Sequence, residues 1–141
     1  MKKTSMILCG MMLLASSAMA QVKVIAHRGH WNSQGAAQNS IAAMQNAKKA
    51  DVWGSEFDVH ITTDGTVVVN HDDDIHGIII ENAKYADIKN QKLANGEPIA
   101  TLKSYLEAGK KLAPMQLILE IKAHQTPERE DRCVKPCLDL V

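Results

Sequence analysis

Three polar side chains stand at alternate positions in one apolar stretch: Glu56, Asp58 and His60, interleaved with Phe57, Val59 and Ile61. Side chains two apart on a β-strand share a face. The spacing therefore predicts the acidic pair and the histidine on one side, with the apolar trio on the other. Two adjacent carboxylates on a buried face repel each other and are poorly solvated. A hard cation resolves that conflict, because Mg2+ and Ca2+ take carboxylate oxygens as ligands. A solvated polar face on an edge strand is the alternative. A second acidic signal follows the run Leu117-Ile118-Leu119, where Glu120 and Lys122 share a face. Barrel enzymes place catalytic groups at the C-terminal ends of strands, although a Glu–Lys pair closing the sheet end accounts for the same spacing.

His27 and His71 each close an apolar run, and each is followed by a charged residue, Arg28 or Asp72. A single histidine at a strand end is often a hydrogen-bonded structural residue. Two of them flanking a phosphate supply an acid and a base near neutral pH. Arg28 adds a planar fork suited to phosphate oxygens. Two histidines, three carboxylates, an arginine and a lysine, all at strand ends, are hard to explain as packing.

The elements that must carry these groups follow from pattern and punctuation. Residues 22–26 are a short apolar run that reads as a strand and stops at His27. Ser40 predicts a helix N-cap, with Ile41, Met44 and Ala47 on one side of a helix over 41–50. Residues 55–62 read as a second strand, Asp64-Gly65 as a hairpin turn and 66–70 as a third strand. A short helix is expected over 85–91, then a loop at Asn95-Gly96-Glu97-Pro98. Thr101 predicts the cap of a packed helix bearing Leu102, Tyr105, Leu106 and Leu112. Residues 115–121 read as a fourth strand, and a last helix begins at Thr126-Pro127-Glu128. Apolar strands alternating with helices predict an α/β chain with a mostly parallel sheet buried on both faces. Four strands are too few to close a (β/α) barrel, which takes about 250 residues.

Composition agrees with a folded chain. Of 141 residues, 45% are hydrophobic and 23% charged, enough for a core. The formal charge of +0 gives no basic face for a nucleic acid. Residues 1–20 have the layout of a secretory signal peptide: Lys2 and Lys3, an apolar stretch from Met6 to Ala15, and an Ala18-Met19-Ala20 cleavage pattern. The stretch is roughly half the ~20 residues that a membrane anchor needs. The expectation is export to the periplasm or the medium, cleavage near Ala20 and no stable membrane anchor. The mature domain would then cover residues 21–141. Cys133 and Cys137 remain, either as a disulfide or as two free thiols; two cysteines alone are a weak zinc signal.

The motifs together resemble the glycerophosphodiester phosphodiesterases. The likeness rests on His27-Arg28-Gly29, Gln38-Asn39-Ser40, Glu56-Phe57-Asp58-Val59, Thr63-Asp64-Gly65, Val69-Asn70-His71-Asp72 and Leu119-Glu120-Ile121-Lys122, in the family's order. The resemblance implies a TIM-type barrel, here its N-terminal four strands or so, with the domain truncated at its C-terminus. It implies an enzyme that hydrolyses glycerophosphodiesters to glycerol 3-phosphate and an alcohol. It implies His27 and His71 as the acid–base pair, Glu56, Asp58 and Glu120 as ligands of Ca2+ or Mg2+, and Arg28 and Lys122 as phosphate contacts. Where the family usually has Glu-Asn-Thr, this chain has Gln38-Asn39-Ser40, so the charge beside His27 differs.

The expected partner is a small phosphodiester, with self-association through open sheet edges. A non-catalytic remnant, a binding module for phosphodiester head groups or cations, and a phospholipase-like enzyme acting on lipid head groups stand as alternatives.

Overall fold

The computed structural model describes residues 22–141. The signal-peptide expectation falls on residues 1–20 and lies outside the described residues. The element order is β1 (Ile25–Ala26), α1 (Ile41–Lys49), β2 (Gly54–Ile61), β3 (Val67–Val69), β4 (Asp74–Ile75), β5 (Ile78–Ile79), α2 (Tyr85–Ile88), β6 (Ala100–Thr101), α3 (Leu102–Gly109), β7 (Gln116–Ile121) and α4 (Pro127–Leu140).

β2 is the spine, with all eight of its residues buried. β7 runs parallel along one edge of it, from Gly54↔Gln116 to Val59↔Ile121. On the other edge β1 pairs parallel with its start, and β3 pairs antiparallel with its end. The parallel strands β1, β2 and β7, linked by helices, are the opening segment of a TIM-type barrel. β3 and β6 make the sheet mixed rather than mostly parallel, because the Asp64-Gly65 turn returns the chain directly beside β2. Among the described residues β1 and β7 each pair on one side only, with β2.

The alternation read from the sequence governs the packing. Phe57, Val59 and Ile61 sit in the main core with Met44 and Ala47 of α1, Leu102 and Tyr105 of α3, and Cys133 and Cys137 of α4. The Phe57 and Tyr105 rings lie 4.6 Å apart at 34°, a contact worth about 0.5–1.5 kcal/mol beyond burial. Both cysteines are free thiols. A second core of Val68, Ile75, Ile80, Ala83, Ile88 and Ile99 fills the excursion between β2 and α3.

Helix starts follow their caps. Ser40, Thr101 and Thr126 accept from the backbone amides of Ala43, Ser104 and Arg129. α1 has a further acceptor: the Glu97 carboxylate takes the amides of Ile41 and Ala42 at 2.9 and 3.1 Å, satisfying donors that the helix leaves open.

Several elements are shorter than expected, among them the third strand, Val67–Val69, and the packed helix, which ends at Gly109 before Leu112. The first strand keeps only Ile25 and Ala26, since pairing begins where β2 begins, at Gly54. The helix expected over 85–91 stops at Ile88, because the Gln91 carbonyl accepts from Ile99 and pulls the chain away.

Candidate active site

Glu56, Asp58 and Glu120 converge. Each offers a carboxylate oxygen, and these atoms lie within 4.8 Å of one another. Register explains the meeting: Asp58 of β2 pairs directly with Glu120 of β7, and Glu56 stands two residues earlier on the same face. β2 is no edge strand, and Glu56, Asp58 and His60 are only 9%, 0% and 2% exposed. The alternative of a solvated polar edge is thereby removed.

The turn after β1 wraps this cluster. Arg28 adopts φ +57°, in the left-handed region that non-glycine residues seldom enter. That conformation aims its backbone amide at Glu56 Oε2, 2.8 Å away. Gly29 follows at φ +75°, and a Cβ there would lie 2.7 Å from the carbonyl carbon of Ala43. Only glycine lets α1 approach so closely. The Arg28 guanidinium donates to Gln38 Oε1 at 2.6 Å, and its Nε lies 3.9 Å from Asp58 Oδ2. Lys122 closes the other side, donating to Glu120 Oε1 at 2.9 Å and lying 3.5 Å from Asp58 Oδ1. Two fixed cations thus face three carboxylates.

Burial pushes the Glu56 carboxyl above its ordinary range, and the charges of Asp58 and Glu120 add to that; the Arg28 amide and His27 oppose it. Glu120, near the surface, is held below its ordinary value by the Lys122 hydrogen bond and charge, with His27 and His71 contributing. Both imidazoles therefore act on one carboxylate of the cluster. His27 Nε2 lies 3.9 Å from Glu56 Oε2. His71 Nδ1 lies 2.7 Å from Asp72 Oδ1, which orients the ring.

A divalent cation fits this donor set. Glu56 Oε1 and Asp58 Oδ1 are buried oxygens without a hydrogen-bond partner, a costly arrangement that a hard cation relieves. All seven residues singled out from the sequence lie at this end of the sheet.

Sequence reasoning assigned no role to Asn39 or His60. Asn39, at φ +60°, is locked onto Asp58 by its side-chain amide. Its signal was its place in the Gln38-Asn39-Ser40 motif. His60 signalled itself by sharing the face of Glu56 and Asp58, and its ring reaches the His71 carbonyl. A cleft of about 470 Å³ opens beside His71 and Gln38, lined also by Trp31, Asp72, Ile75 and Leu93.

The model of the Glycerophosphoryl diester phosphodiesterase family matches residues 27–139. Glycerophosphodiester phosphodiesterase 1 of Rattus norvegicus is 31% identical over 80 residues, covering 57% of this chain and 24% of the rat protein. A glycerophosphodiester phosphodiesterase from Parabacteroides distasonis superposes with a TM-score of 0.82 and 46% identity, covering 84% of this chain and 50% of that one. An Oleispira antarctica phosphodiesterase, solved with its product sn-glycerol-3-phosphate, superposes at 0.72 with 26% identity, over 84% of this chain and 51% of its own. The chain thus spans about half the length of these solved relatives and a quarter of the rat protein.

Proposed function

The chain belongs to the glycerophosphoryl diester phosphodiesterase family, and from that membership we propose that it carries the cation-holding and acid–base part of an enzyme that hydrolyses glycerophosphodiesters to glycerol 3-phosphate and an alcohol. One observation carries the reading: three carboxylates from two paired strands meet within 4.8 Å, two of them with buried oxygens that accept no hydrogen bond. The Oleispira relative binds the corresponding product.

Glu56, Asp58 and Glu120 would hold a Ca2+ or Mg2+ ion. Bound there, such an ion polarises a phosphoryl oxygen and orients the diester. Arg28 and Lys122 supply positive charge to the remaining phosphate oxygens. His27 and His71 move the protons: one imidazole takes the proton of the attacking hydroxyl, and the other delivers a proton to the departing alcohol oxygen. The same pair serves attack by a glycerol hydroxyl, with water opening the cyclic phosphate, and direct attack by water.

The test is release of glycerol 3-phosphate from glycerophosphocholine, with and without chelator. Release that stops on chelation supports the reading, and release undiminished in excess chelator refutes it. Cation binding by calorimetry without any release points instead to the binding module. We also propose export, on the strength of residues 1–20; N-terminal sequencing of exported protein should begin at Gln21.

A further inference from the structure

We propose that His60 is a positioning residue for His71, fixing the distance between the cation-binding carboxylates and the acid–base imidazole; this rests on the function proposed above.

One face of β2 presents Glu56, Asp58 and His60 in succession, so the first two address the cation and the third addresses the loop after β3. His60 is 2% exposed. Its Nε2 lies 3.3 Å from the His71 backbone carbonyl. A carbonyl only accepts, so the proton sits on Nε2 and the ring donates. The bond holds the main chain of His71, while Asp72 holds its imidazole. Neighbouring bonds brace the loop, since the Asn70 amide donates to the Asp58 carbonyl at 3.1 Å and the Asn70 side chain donates to the Asp72 and Asp74 carbonyls.

The His60 ring is itself oriented. His124 stands edge-on to it, with centroids 5.5 Å apart at 63°. His124 Nε2 accepts the amide of Ile61 at 3.2 Å, which puts its proton on Nδ1 and fixes that ring from the loop after β7. The two rings tie the ends of β2, β3 and β7 together. Nothing in the proposed reaction needs His60 to touch substrate, and a buried imidazole aimed at the backbone of one particular histidine suits placement. Catalytic geometry tolerates errors of only about 0.5 Å.

The experiment compares His60→Gln, His60→Asn and His60→Leu in the full chain. Gln carries its amide donor at the position of Nε2, whereas Asn withdraws it and Leu removes it. Three readouts are taken: kcat and KM on glycerophosphocholine, Ca2+ affinity by calorimetry, and the imidazole resonances of His71. His60→Leu and His60→Asn should lower kcat about tenfold or more, leave KM and Ca2+ affinity within about twofold, and move the His71 resonances. His60→Gln should restore both kcat and the resonances. If Leu fails to fold, the Gln–Asn contrast decides. Unchanged His71 resonances and kcat in His60→Asn, or a Gln variant as impaired as Asn, overturn the proposal. Absence of turnover in the parent chain refutes the proposed function, while the resonances still decide the placement of His71.

Discussion

Asn39 and Asp58 grip each other twice: the Asn39 side-chain amide donates to Asp58 Oδ2 at 2.9 Å, and Asn39 Oδ1 accepts the Asp58 amide at 3.2 Å. Asp58 is fully buried, so this pairing takes up one carboxylate oxygen and leaves the other for a cation. Asn39→Ala should cost about 2–4 kcal/mol, from a buried carboxylate losing its donor and from the left-handed backbone. Asn39→Gly keeps the first loss and relieves the second. Urea unfolding measures both, and Ala and Gly variants of wild-type stability contradict the account.

Glu56 sets a pH dependence. Its folded pKa is raised, chiefly by burial, so the folded state binds this proton more readily than the unfolded chain does. In chelator, the charge therefore costs stability at neutral pH. That cost is relieved as pH falls through the folded pKa, and stability is lost as pH rises through it. Glu56→Gln should be more stable than wild type at pH 7 without cation, and the two should converge at low pH. With Ca2+ present the order reverses, since a carboxylate holds the ion more tightly than a neutral amide does, and affinity falls as pH drops. Denaturation with and without Ca2+ checks both signs.

His27→Ala and His71→Ala should each reduce glycerophosphodiester turnover by roughly 10²–10⁴-fold. Both lie outside the main core, so melting temperature should change little. Near-normal turnover in either variant removes that residue from the acid–base pair.

A chain of residues 21–141 by itself should self-associate. β1 and β7 have one unpaired edge each among the described residues, and Val24 and Ile25 are 57% and 44% exposed. Open edges recruit other chains. Light scattering on residues 21–141 should report dimers or larger species, and a monodisperse active monomer contradicts this.

The local features were legible in the sequence. Strict alternation gave the Glu56, Asp58 and His60 face because β2 is regular along its whole length. Ser40, Thr101 and Thr126 announced the starts of α1, α3 and α4, since a cap acts on an amide three residues away. The glycine of Asp64-Gly65 announced the hairpin. The hidden features join distant parts of the chain. Asn39 and Asp58 are 19 residues apart, and Glu97 caps a helix 56 residues before it. Such pairings leave no period to read. The left-handed turn at Arg28 was equally hidden, because its cause is Glu56 on another strand.

The two cores of this chain divide labour. All three carboxylates stand on β2 and β7, while His71, Ile75 and Leu93 reach the cleft from an excursion that fills its own interior with Val68, Ile80, Ile88 and Ile99. Ile75 and Leu93, which line the cleft beyond His71, pack on or in this second core rather than on the strands that bear the cation ligands. In evolutionary and engineering terms those wall positions are separable: the lining of the cleft can drift while His71 and the three carboxylates stay still.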